Sequence, residues 1–95
     1  MTKLQSVYFP KNMTSLKYIG DGCFNNIYTS FTTIYNLPDS IEYIGSNAFK
    51  WCQKLQLNKL PNNLKYIGVG AFYGCYEVTF STIPHGCTQL LDSVF

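Results

Sequence analysis

Residues 41–52 read IEYIGSNAFKWC and residues 64–75 read LKYIGVGAFYGC, nearly the same text 23 positions apart. Both keep Tyr-Ile-Gly, then Ala-Phe, then a cysteine three beyond the Phe, while the polar positions drift. A unit that holds its apolar and glycine positions in this way repeats for structural reasons. A unit of 23 residues cannot close a core alone, whereas stacked copies bury their faces on one another.

The period runs along the chain. Leu37-Pro38, Leu60-Pro61 and Ile83-Pro84 follow one another at 23 residues, and Leu55 returns as Val78. Upstream, Phe9-Pro10 and Leu16-Lys17-Tyr18-Ile19-Gly20 open a longer copy, with three extra residues after the proline and two more before Leu37. It carries Cys23-Phe24 where later copies have Ala-Phe. The last copy sets Cys87 at the place of Ile41, Leu90 at Ile44 and Val94-Phe95 at Ala48-Phe49, and Leu91 replaces its glycine. The chain therefore divides into a partial copy at 4–8, copies at 9–36, 37–59 and 60–82, and a partial copy at 83–95. That makes about three and a half repeats in one domain spanning residues 1–95.

Each copy predicts its own backbone. The segment before the proline (Leu55 to Leu60, Val78 to Ile83) reads as one short strand that proline ends by withholding a donor. A second extended piece, Ile41 to Ile44 or Leu64 to Ile67, meets a glycine expected to bend at positive φ. Ser46 is placed to cap a following helical turn with Ala48, Phe49 and Cys52 on one face.

Composition narrows the function. The chain is 46% hydrophobic and 13% charged, which predicts a folded core. Its positive charge comes from seven lysines and no arginine, spread along the chain, so a nucleic-acid partner is not expected. No apolar run approaches the ~20 residues of a membrane span, so no membrane insertion is expected. Met1-Thr2-Lys3 leads into Leu4-Gln5-Ser6-Val7 without a signal-peptide core. As written, the chain is expected in the cytoplasm; as a fragment of a longer chain, at the cell surface or secreted.

Chemistry-bearing residues are few. Cys23, Cys52, Cys75 and Cys87 fall on apolar repeat positions and are expected to be buried free thiols, in keeping with a reducing compartment. Cys52 and Cys75 stack at strand spacing, with Cβ atoms slightly too far apart for a disulfide. There is no C-x-x-C pair, and His85 has no partner at metal spacing, so no metal or cofactor is expected. Asp21, Asp39, Glu42, Glu77 and Asp92 occupy different repeat positions and do not converge. The reading is not an enzyme.

The pattern Leu-Pro-x-x-Ile/Leu-x-Tyr-Ile-Gly-x-x-Ala-Phe-x-x-Cys-x-x-Leu resembles the BspA-like, or Treponema pallidum type, class of leucine-rich repeats over residues 4–95. The resemblance implies a right-handed, mainly β repeat solenoid, with a parallel strand ladder on the concave side and short strands or helical turns behind. It also implies kinship with surface and secreted proteins that attach to other proteins or cells, an inference by analogy.

Candidate binding residues follow from that frame. Tyr8, Thr33, Tyr35, Gln56, Asn58 and Lys59 fall on the expected concave strands. Tyr18, Tyr43 and Tyr66 share one repeat position and are expected to form an edge ladder, beside Lys17, Glu42 and Lys65 alternating in sign. Trp51, whose repeat equivalent is Gly74, is an exposed anchor candidate. The expected function is a non-catalytic protein-binding module, a small adaptor or inhibitor acting on a protein partner. The alternative is a self-assembling structural or adhesin-derived fragment of a longer surface protein. Association of copies of the chain is expected through uncapped ends at Leu4 and Val94-Phe95.

Overall fold

Among the described residues five short strands, each parallel to its partners, carry the repeat into three dimensions. The computed structural model describes residues 5–25, 31–57 and 59–79. Asn58, Cys87, Leu91 and both ends of the chain, with the oligomer contacts expected there, lie outside the described residues. The strands are β1 (Ser6–Tyr8), β2 (Tyr18–Ile19), β3 (Thr33–Tyr35), β4 (Tyr43–Ile44) and β5 (Tyr66–Ile67). One sheet joins β1 to β3; the other runs in the order β2-β4-β5. Among the described residues 55–57 and 59–60 no strand forms, contrary to the expectation for Leu55 to Leu60. The Gln56 amide nevertheless donates to the Thr32 carbonyl at 2.9 Å, one bond continuing the line of β3.

The sheet holding β2, β4 and β5 aligns the Tyr-Ile pairs of three copies: Tyr18 with Tyr43 with Tyr66, and Ile19 with Ile44 with Ile67. All three isoleucines are buried. In the other sheet the proline alignment would set Tyr8 opposite Asn36, yet Tyr8 pairs with Tyr35, Val7 with Ile34 and Ser6 with Thr33. The alternation explains the choice. A one-residue slip would bring Val7, which packs on the core, opposite the outward Tyr35. The surplus residue, Asn36, is held at φ 60, and its side-chain amide donates to the Phe9 carbonyl at 3.1 Å. Asparagine tolerates this left-handed conformation better than most residues.

The buried cluster is built mainly from residues that recur, Ile41, Ile44, Ala48, Phe49, Cys52 and Leu55 in one copy and Leu64, Ile67, Ala71, Phe72 and Cys75 in the next, with Ile19, Phe31 and Leu60 beside them. Phe24, Phe49 and Phe72 stack at ring separations of 5.2 Å with planes 8° apart. Phe49, in the middle, supplies contact area and ring stacking to the copy on either side.

The segment after each glycine is not a helical turn, and no helix occurs among the described residues. Its amides alternate. Ala48, Lys50 and Cys52 donate three residues back, to Gly45, Asn47 and Phe49; Asn47, Phe49 and Trp51 donate sideways, to Val69, Ala71 and Tyr73. Positive φ at Asn47 (58) and Trp51 (65) interrupts the helical path and aims alternate amides at the neighbouring copy. Ser46 correspondingly caps no helix: its amide donates to Asp21 Oδ1 at 3.0 Å.

The Tyr-Ile-Gly glycines also act differently from expectation. Neither Gly45 nor Gly68 has positive φ. A Cβ on Gly68 would fall on the Ser46 backbone, 2.5 Å from its Cα, and one on Gly45 would lie 2.8 Å from the Asp21 Cα. These glycines let two copies approach, and positive φ is used at Gly22, Asn47 and Gly70 instead.

Candidate functional site

Among the described residues three aromatic groups reach the surface, and the two sheets keep the first two apart. On the β1–β3 sheet, Tyr8 and Tyr35 stack with centroids 4.4 Å apart and planes 9° apart, 72% and 43% exposed. Parallel in-register pairing sets equal side chains side by side, and the half-buried Val7–Ile34 row, packed on the core, sends the tyrosines outward. Thr33, half-buried, lies within 3.2 Å of the neighbouring Thr32 hydroxyl, and Gln56 is exposed where the sheet's line continues. Lys59 is exposed and bridges to Asp39 Oδ1 at 3.9 Å.

The second group is the ladder on β2, β4 and β5. Tyr43 and Tyr66 stack at 4.7 Å and 5°, while Tyr18 meets Tyr43 at 5.7 Å with a 59° tilt. Partial burial, then the Asp21 carboxylate and the neighbouring Tyr66, push the Tyr43 phenol above its usual range. Lys17 reaches the Glu42 carboxylate at 3.6 Å, an exposed pair of small energetic weight.

Trp51 is not the free anchor expected. It is half-buried, meets Tyr73 edge-on at 5.0 Å with planes 80° apart, and lies over Gly74, whose Cβ would meet the indole. Lys50 Nζ sits 5.7 Å from the Tyr73 centroid. Two exposed aromatics here, Tyr73 and Tyr76, went unnoticed in the sequence. Their signal was an aromatic at positions where the preceding copy has Lys50 and Gln53.

The thiols and carboxylates serve the stacking. Cys52 donates to the Phe24 carbonyl at 3.2 Å and Cys75 to the Phe49 carbonyl at 2.9 Å. Burial pushes the Cys75 thiol up to about 11, against a smaller opposing effect of the Cys52 backbone. Cys23, by contrast, is exposed, so its repeat position does not bury it. Asp21 and Asp39 accept the amides of Ser46 and Asn62, each at 3.0 Å, strapping one copy to the next. Among the described residues no group of three or more His, Cys, Asp or Glu is placed to hold a metal ion. No helix there is long and apolar enough to cross a membrane.

A family model described as a BspA type leucine rich repeat region, with six copies, matches residues 1–95. No curated protein sequence and no solved structure matches the chain.

Proposed function

Since the chain belongs to the BspA type of leucine-rich repeat proteins, we propose that its copies wind as a right-handed solenoid and that it works as a non-catalytic protein-binding module. The observation that carries this reading is the chemistry of the face bearing Tyr8 and Tyr35. Described residues 5–9, 32–36 and 55–57 contain no charged residue at all, while the neighbouring Tyr18–Tyr66 ladder is flanked by Lys17, Asp21, Glu42 and Lys65. Tyr8, Tyr35, Ser6, Thr33 and Gln56 combine rigid aromatic area with adaptable hydrogen-bonding groups. That is the mixture binding surfaces favour, because tyrosine brings contact area at low entropic cost. An adaptor or inhibitor needs no more than such a surface on a rigid frame.

The test compares partner capture from source extract by the wild-type chain, a Tyr8→Ala/Tyr35→Ala double variant and a Tyr18→Ala/Tyr66→Ala double variant. Two lost anchors at more than ~1 kcal/mol each weaken binding at least about tenfold. Selective loss in the first variant supports the reading. Equal capture by all three chains would place the contact elsewhere.

A further inference from the structure

We propose that Tyr8 and Tyr35 form an oxidative cross-linking site, at which a peroxide-driven one-electron oxidant joins the two rings as dityrosine. The pair combines properties that the other tyrosine contacts among the described residues do not share. Its centroids are 4.4 Å apart with planes at 9°, and both rings are exposed, Tyr8 at 72%. In-register pairing of Ser6, Val7 and Tyr8 with Thr33, Ile34 and Tyr35 sets the two tyrosines directly side by side on neighbouring strands. Tyr43 and Tyr66 are nearly as close, at 4.7 Å. There, however, Tyr43 is half-buried and its phenol proton is held by burial and the Asp21 carboxylate. Tyr18 meets Tyr43 at 5.7 Å with a 59° tilt, farther apart and not stacked.

The chemistry balances with one hydrogen peroxide, activated by a haem peroxidase. Each phenol gives up one electron and one proton, and the two phenoxyl radicals couple at the carbons ortho to their hydroxyls. One C–C bond forms, the ortho hydrogens return to the oxygens by tautomerisation, and peroxide leaves as two waters. The protein loses two hydrogen atoms in all. The new bond ties residues 8 and 35 across the β1–β3 ladder, so it closes the intervening loop in the unfolded chain as well. Such closure lowers the entropy of the unfolded state and raises Tm. The site would thus lock two neighbouring copies together under oxidative conditions.

The experiment treats the purified chain with haem peroxidase and hydrogen peroxide over a range of protein concentrations. The expected product is a monomer lighter by two hydrogen atoms, with dityrosine fluorescence, a yield independent of protein concentration and a raised Tm. Peptide mapping should join the segment holding Tyr8 to the one holding Tyr35. Tyr8→Phe and Tyr35→Phe, which keep both rings, should each abolish the monomeric product, while Tyr66→Phe should form it as the wild type does. The proposal is overturned if only covalent dimers appear, if mapping finds Tyr43 joined to Tyr66, or if the monomeric product survives in Tyr8→Phe. None of these outcomes depends on a binding partner, so the cross-link and the binding reading fail separately.

Discussion

Tyr18-Ile19-Gly20 and Tyr66-Ile67-Gly68 are the same three letters, and they do different work. Around Gly68 the backbone of the preceding copy leaves no room for a Cβ, whereas a Cβ on Gly20 would meet nothing within 4 Å. Farther along the same two copies, Cys23 is exposed while Ala71, its repeat equivalent, is buried. Phe24 is half-buried and Phe72 fully buried. A repeat position acquires its role from the copy lying against it. The letter alone states only what the position can accept.

The sharpest way to break that comparison is to remove one ring of the phenylalanine stack. Phe49 is fully buried between Phe24 and Phe72, so Phe49→Ala should cost about 3–5 kcal/mol in chemical denaturation. Phe24→Ala, at a half-buried ring, should cost clearly less. Equal losses would mean that position, rather than neighbours, sets the energy.

Gly68→Ala against Gly20→Ala comes next. The first drives a methyl into the Ser46 backbone and should lose about 1–3 kcal/mol, as overpacking does. The second should stay within about 0.5 kcal/mol of wild type, since surface changes away from special features are small. A stable Gly68→Ala variant would show that the copies can move apart at no cost.

The thiols give the smallest difference, readable as a pH dependence. The Cys75 thiol is raised from 9.0 to about 11, so the folded state holds its proton more tightly than the unfolded chain. Its contribution is complete below pH 9.0 and is lost as pH rises through about 11, with an upper bound of roughly 3 kcal/mol. Cys75→Ala should flatten that alkaline loss, whereas Cys23→Ala should leave it unchanged. In the folded protein, iodoacetamide should modify Cys23 well before Cys75. Simultaneous modification would contradict the burial of Cys75.

Much of the frame was legible in the letters. The alignment of the Tyr, Ile and Phe positions could be read from the 23-residue spacing, because in-register stacking needs identical apolar residues at identical intervals. The family that the motif resembles is the one whose model matches. The candidate surface was legible only in part. Tyr8 and Tyr35 could be picked as outward residues, but their stacking required a register that the Phe9-Pro10 and Leu37-Pro38 alignment puts one residue away. Trp51 looked free because its repeat equivalent is a glycine, and that same glycine makes the space its indole occupies.

By itself, then, the sequence determined the recurring unit and most of the side chains that face inward, Cys23 being an exception, since burial of apolar area depends on pattern and composition. Tertiary structure decided what the unpatterned positions do. It set Asn36 at φ 60 to absorb a surplus residue, turned the amides of Asn47, Phe49 and Trp51 sideways in place of a helical turn, and converted Gly45 and Gly68 from bends into points of contact. The physical reason is common to all three. Backbone hydrogen bonds and close approaches between copies depend on where the neighbouring main chain lies, and side-chain letters encode that position only weakly.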